Sequence, residues 1–214
     1  MRVKICCISS VEEAALAVGC GAHALGLVGH MPSGPGVIED GLIREIARSV
    51  PPGVNTFLLT CHTSAKEIVA HYRRTYTQVI QMVDYVHPSQ YQLIRQELPH
   101  VKLVQVIHVM DQASVAEALD ASRYADALLL DSGNPTLAVK ELGGTGRTHN
   151  WELSRQIGRQ CGVPVFLAGG LNPANISRAV ESVNPFGVDI CSGVRTDGKL
   201  DAEKLRALFA ALSL

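Results

Sequence analysis

Asp131 closes the apolar run from Ala125 to Asp131. Packing does not explain a carboxylate there, because burying one is costly unless it has a partner or a task. It is a candidate acid or base. The run from Val3 to Ile8 carries two thiols, Cys6 and Cys7, near its end. Strand alternation sends adjacent side chains to opposite faces, so only one thiol is expected to point inward. A thiol becomes a useful base only when its pKa falls from about 8.5, and Lys4 or loop dipoles could lower it. Either cysteine considered alone reads better as a small core hydrophobe.

A different chemistry is suggested by Leu142 to Trp151, which reads Leu-Gly-Gly-Thr-Gly-Arg-Thr-His-Asn-Trp. Gly143, Gly144 and Gly146 can adopt positive φ, turning successive N–H groups into one concavity where an anion such as phosphate could rest. The turn Ala168-Gly169-Gly170 leads into Asn172-Pro173, a helix start that favours the same guest. Tight turning alone could account for either glycine stretch. Two on adjacent units suggest a phosphate grip.

These residues must be positioned by regular elements, and the chain alternates them throughout. Apolar, β-branched runs at 3–8, 22–29, 54–60, 78–84, 102–109, 125–131, 163–168 and 187–191 predict strands. Helical patterns follow each one, at 11–18, 39–50, 64–74, 88–98, 112–122, 150–161, 173–183 and 202–212. Such alternation demands a parallel sheet, and eight units predict a closed (β/α)8 barrel, one α/β domain over residues 1–214. A doubly wound sheet competes, but the first strand lacks a GxGxxG turn. In a barrel the loops after the strands carry function.

Composition narrows the classes further. The 214 residues contain 19 basic and 20 acidic side chains, with no long run of either sign, which argues against a nucleic-acid binder. No apolar segment is long enough to span a bilayer, so no membrane partner and a cytoplasmic location are expected. Six cysteines without CxxC or zinc spacing read as thiols. The histidines lack ligand spacing, and no metal site is expected. Trp151 is expected to pack the first turn of its helix, and His108 to reach toward the mouth. Oligomeric state is not encoded legibly.

Five motifs in order, Lys4-Ile5-Cys6, Leu129-Leu130-Asp131, Gly143 to Thr148 ahead of Trp151, Leu167 to Pro173, and Gly187-Val188-Asp189 with Ser192-Gly193-Val194, resemble the phosphoribosylanthranilate isomerase family of tryptophan biosynthesis. The resemblance runs end to end. It implies a (β/α)8 barrel without metal or organic cofactor, acting on a small phosphorylated sugar by an Amadori rearrangement. Carried over, it makes Asp131 the general acid on the furanose oxygen and Cys6 the base at C2′. It puts phosphate on Gly143, Gly144, Thr145, Gly146, Ala168, Gly169, Gly170, Ser192 and Gly193.

The chain departs from the family at several places. The family's arginine after strand 2, which grips the anthranilate carboxylate, falls here on Pro35 or Gly36. Its Gln-Leu-His-Gly at the end of strand 4 is Gln81-Met82-Val83-Asp84 here. Cys7 stands where glycine is usual, as a tolerated change or a rival thiol, and Arg195 where glutamate is frequent. Losing one charged hydrogen-bonding partner costs about 1.5–3 kcal/mol. Lys4, His30, Gln81, Asp84 and Arg195 are therefore candidate substrate contacts, with Arg195 or a protonated His30 as replacement cation, although Arg195 also reads as a solvated loop charge. Two alternatives to the isomerase remain: a paralogue acting on another phosphorylated sugar amine, and a silent barrel that binds a phosphorylated metabolite.

Overall fold

In the computed structural model, which describes residues 1–137, 139–144 and 146–213, eight parallel strands close on themselves in sequence order. They are β1 (Arg2–Ile5), β2 (Ala24–Val28), β3 (Asn55–Thr60), β4 (Val79–Met82), β5 (Lys102–His108), β6 (Ala127–Asp131), β7 (Val165–Leu167) and β8 (Gly187–Ile190). The predicted barrel is thus the observed one. Closure is made by β1 against β8, with Lys4 beside Asp189 and Ile5 beside Ile190.

The helices are α1 (Val11–Gly19), α2 (Asp40–Ser49), α3 (Ala65–Thr75), α4 (Pro88–Glu97), α5 (Ala113–Ala121), α6 (Trp151–Gln160), α7 (Ile176–Val183) and α8 (Ala202–Leu212). Several start where a side chain accepts the otherwise orphan N–H groups: Ser10 from Glu13, Asn150 from Glu152, Asp201 from Glu203 and Lys204. α7 begins three residues later than Pro173. Asn172 and Asn175 cause the delay: Asn175 Oδ1 accepts from the Asn172 N–H, and Asn172 Oδ1 accepts from Ala174. These side-chain turns compete with the helix for its first backbone groups.

Strand alternation divides the core. Outward residues such as Ile5, Leu25, Leu58, Ile80, Leu128 and Val188 are buried beneath the helices. Inward residues, including Phe57, Val79, Val104, Ala127, Leu129 and Phe166, fill the barrel. On that face Lys4 and Asp189 stand among apolar neighbours, with the Lys4 ammonium 5.4 Å from the Phe57 ring centroid. Beyond β8 lie a 3₁₀ turn, Ser192–Val194, and a small hairpin of β9 (Arg195–Thr196) and β10 (Lys199–Leu200). Its turn, Asp197-Gly198, has positive φ at both residues, the combination favoured in two-residue hairpins. No helix among the described residues is long and apolar enough to cross a membrane.

Candidate active site

A cavity of about 710 Å³, open to solvent, occupies the C-terminal mouth of the barrel. Cys6 and Asp131 both line it, from the ends of β1 and β6. So does Cys7, against the alternation rule. β1 ends at Ile5, and Cys7 takes φ 61°, so the extended pattern fails and both thiols face the cavity. A non-glycine residue in that conformation costs about 1–2 kcal/mol. The turn is held from outside: Arg195 donates to the Cys6 and Cys7 carbonyls, and Glu13 accepts from Arg195 at 3.0 Å.

The two cavity groups are electrostatically unequal. Burial raises the Asp131 pKa, although its Oδ1 accepts from the Ser132 N–H at 2.7 Å. The Cys6 thiol is lowered, chiefly by a hydrogen bond from Cys7, with burial opposing and the Lys4 charge assisting. Lys4 is fully buried and pairs with Asp189 at 2.8 Å. Burial alone would discharge that ammonium, but Asp189 and the neighbouring thiols outweigh it and its pKa is raised. Gly26 makes room for the arrangement: a Cβ there would stand 2.6 Å from Cys6 Sγ and 2.9 Å from Lys4 Nζ. Asp189 also lines the cavity, and its buried Oδ1 has no partner among the described residues.

Gly143, Gly144, Gly146, Ala168, Gly169, Gly170 and Ser192 form one side of the cavity. Gly143 has φ 135°, and a Cβ would lie 2.7 Å from Asp131 Oδ2, so the loop after β6 folds directly onto the carboxyl. Gly170 has φ 61°, and a Cβ there would stand 2.6–2.8 Å from the Arg147 and Thr148 backbone. Among the described residues, the N–H groups of Gly169 and Gly170 find no backbone acceptor. This leaves donors for an anion. Thr145 lies outside the described residues. Gly193 is not on the wall; a Cβ there would be 2.0 Å from the Leu171 carbonyl, so it spaces two loops.

The opposite side is different. Val28, Met31, Leu59, Val83 and Val106 line it, with Gln81, whose buried Oε1 has no partner among the described residues. No Lys, Arg or His lines the cavity among the described residues. The remaining sequence candidates are directed elsewhere. Lys4 is sealed beneath the floor, and exposed His30 is off the wall. Asp84 pairs with Lys140 at the surface. Arg195 is neither a substrate cation nor solvated: its side chain is only 8% exposed and committed to Glu13 and the Cys6–Cys7 turn. His108 bonds the Val83 carbonyl at 2.9 Å and does not reach the wall. Trp151 packs against the core as expected, beneath the Arg178 guanidinium.

Two participants are absent from the sequence candidates. Asp189 was signalled by Lys4: a cation on an inward face needs a partner, and barrel closure makes β8 the neighbouring strand. Cys191 carried no signal, and its Sγ lies 2.6 Å from Cys7 Sγ. No group of three or more His, Cys, Asp or Glu side chains is arranged to hold a metal ion among the described residues.

A (β/α)8 barrel whose mouth holds a buried carboxyl and a thiol beside a glycine rim has the groups that acid–base chemistry on a small anionic molecule requires. Comparison narrows that class. Residues 3–211 match the family model described as N-(5'phosphoribosyl)anthranilate (PRA) isomerase. An N-(5'-phosphoribosyl)anthranilate isomerase of Methanosarcina mazei is 34% identical over 196 residues, 91% of this chain and 86% of that one. The phosphoribosyl anthranilate isomerase of Thermus thermophilus superposes with a TM-score of 0.83 at 29% identity, covering 100% of this chain and 98% of that one. Another phosphoribosyl anthranilate isomerase, in complex with reduced 1-(o-carboxyphenylamino)-1-deoxyribulose 5-phosphate, gives 0.83 at 25% identity with both chains fully covered. The chain belongs to the phosphoribosylanthranilate isomerase family, and it is an isomerase.

Proposed function

We propose that the chain isomerises N-(5'-phosphoribosyl)anthranilate in tryptophan biosynthesis, in the cytoplasm, with Asp131 as general acid and Cys6 as general base. Asp131 protonates the furanose ring oxygen, and the C1′–O bond opens to an iminium. The Cys6 thiolate then takes the proton from C2′ to give the enolamine, which tautomerises to the aminoketose. Acid and base must address different parts of one sugar, and β1 and β6 stand three strands apart around the closed barrel, by way of β8 and β7. Phosphate binds the glycine rim, with Ser192, and fixes the ring between the two groups. Asp189 Oδ1, lacking a partner among the described residues, is available to a sugar hydroxyl.

One observation carries this reading: a carboxyl raised in pKa by burial and a thiol lowered by its neighbours line the same cavity. The first is kept protonated and the second deprotonated more readily than in water, which is what each role needs. The test is turnover of phosphoribosylanthranilate by the purified protein, or rescue of a tryptophan auxotroph lacking the isomerase. Asp131→Asn should abolish both.

The uncharged wall around Val83 favours a second reading, a paralogue acting on a different phosphorylated sugar amine. It predicts no rescue by a folded protein that still binds phosphate. A silent binder would keep its ligand affinity in Asp131→Asn.

A further inference from the structure

We propose that Cys7 and Cys191 form a reversible disulfide beside Cys6, and that hydroperoxide-class oxidants thereby disable the base. Their sulfurs are 2.6 Å apart, little longer than a covalent S–S bond of about 2.05 Å. The strands that precede them are already locked together, since Ile5 lies beside Ile190 and the Cys6 N–H donates to the Ile190 carbonyl at 2.8 Å. Bond formation therefore needs the two sulfurs to close by only about 0.5 Å.

Cys7 adopts φ 61°, fixed by Arg195 on its carbonyl. Gly36 leaves the space its side chain occupies, because a Cβ at Gly36 would stand 2.5 Å from Cys7 Cβ. Cys61 and Cys161 donate instead to the His30 and Val163 carbonyls. Both partners line the solvent-open cavity, and Cys191 is half-buried, so a small peroxide can reach them. One thiol loses its proton and attacks the peroxide as thiolate, the O–O bond breaks, and the departing hydroxide takes up that proton to leave as water while the sulfur becomes a sulfenic acid. The second sulfur then displaces the hydroxyl as water. Two thiols and one hydrogen peroxide give one disulfide and two waters. A thiol reductant reverses the change by exchange.

The consequence follows from what Cys7 does when reduced: its S–H supports the Cys6 thiolate. A disulfide removes that proton donor while leaving Cys6 and the phosphate rim in place. Only the loss of turnover rests on the proposed catalytic reading.

The experiment exposes wild type, Cys191→Ser and Cys7→Gly to stoichiometric hydrogen peroxide, then maps peptides without reduction. It also measures Cys6 alkylation by iodoacetamide at neutral pH and turnover of phosphoribosylanthranilate, each before and after dithiothreitol. Wild type should yield a Cys7–Cys191 linked peptide, with Cys6 alkylation and turnover both falling about tenfold and both recovering on reduction. Neither variant should show the reversible loss. The proposal is overturned if no linked peptide forms, if it forms while Cys6 reactivity is unchanged, or if Cys191→Ser retains the reversible loss. Absence of turnover in the untreated protein would count against the proposed function, while the peptide and alkylation results still decide the disulfide.

Discussion

The two sides of the cavity are made of different material. The side formed by the loops after β6, β7 and β8 is mostly backbone: Gly143, Gly144, Gly146, Gly169 and Gly170, with N–H donors and little side chain. The side formed after β2, β3, β4 and β5 is mostly side chain: Met31, Leu59, Val83 and Val106, with no cation among the described residues. A backbone cradle suits a phosphate, which is the same on every phosphorylated sugar. A side-chain wall selects the rest of the substrate, and small residue changes there alter preference. Asp131 and Cys6, the proposed acid and base, line the same cavity, so on the proposed reading chemistry and phosphate grip can stay fixed while the wall varies.

The floor beneath both sides sets the largest expected effect. Lys4→Met leaves Asp189 buried without its cation, a change that costs about 3–5 kcal/mol. Urea unfolding should show that loss, and the double variant Lys4→Met, Asp189→Leu should recover most of it. Equal instability of single and double variants would mean that packing, not charge, is at stake.

The glycine side should carry its own pH dependence. Burial pulls the His149 pKa down from 6.5 to about 4, and its Nδ1 lies 2.8 Å from where a Gly169 Cβ would be. The folded protein thus prefers neutral His149. Its contribution is fully present above the unfolded pKa near 6.5 and is lost as pH falls from there toward 4, in total roughly 2–3 kcal/mol. His149→Gln should flatten the stability profile over that window in thermal melts at successive pH values. An unchanged slope would assign the acid sensitivity to other groups.

A narrower probe is Gly143→Ala. The added methyl collides with Asp131 Oδ2 in a backbone conformation that L residues rarely adopt. We expect kcat to fall about tenfold to thirtyfold, roughly 1.4–2 kcal/mol, with a folded barrel by circular dichroism. A change confined to KM would show that the loop serves the phosphate alone. The smallest effect is a gain: Val83→His restores a hydrogen-bonding, chargeable group to the apolar wall. It should lower KM for phosphoribosylanthranilate by up to about tenfold, near 1.4 kcal/mol. No gain would favour the paralogue.

The same division governs what could be read from the chain. Asp131 and the two glycine turns were legible because local pattern carries them: a carboxyl closing an apolar run, and glycines where φ must be positive. The barrel was legible from eight alternations of period. Lys4 with Asp189 was not paired, because the contact crosses 185 positions and exists only once β8 closes on β1. Alternation admits only one of Cys6 and Cys7 to the cavity, and both line it because a left-handed cysteine is not written in residue type. Arg195 passed for a loop charge because its burial depends on the hairpin β9–β10 and on Glu13, both fixed by tertiary packing. The composition of the apolar wall is likewise gathered from several separate strands and loops, and no single stretch announces it.

The central claim is that Asp131 and Cys6 act as an acid–base pair across one sugar. The pH dependence of kcat on phosphoribosylanthranilate, measured for wild type, Cys6→Ser and Asp131→Asn, tests it most directly. Burial raises the acid above 3.8 and the thiol's neighbours lower the base below 9.0, so wild type should give a bell narrower than a free carboxyl and thiol would. Each variant should lose about a hundredfold or more in kcat. A wild-type profile without two limbs, or an Asp131→Asn enzyme within about threefold of wild type, would contradict the account.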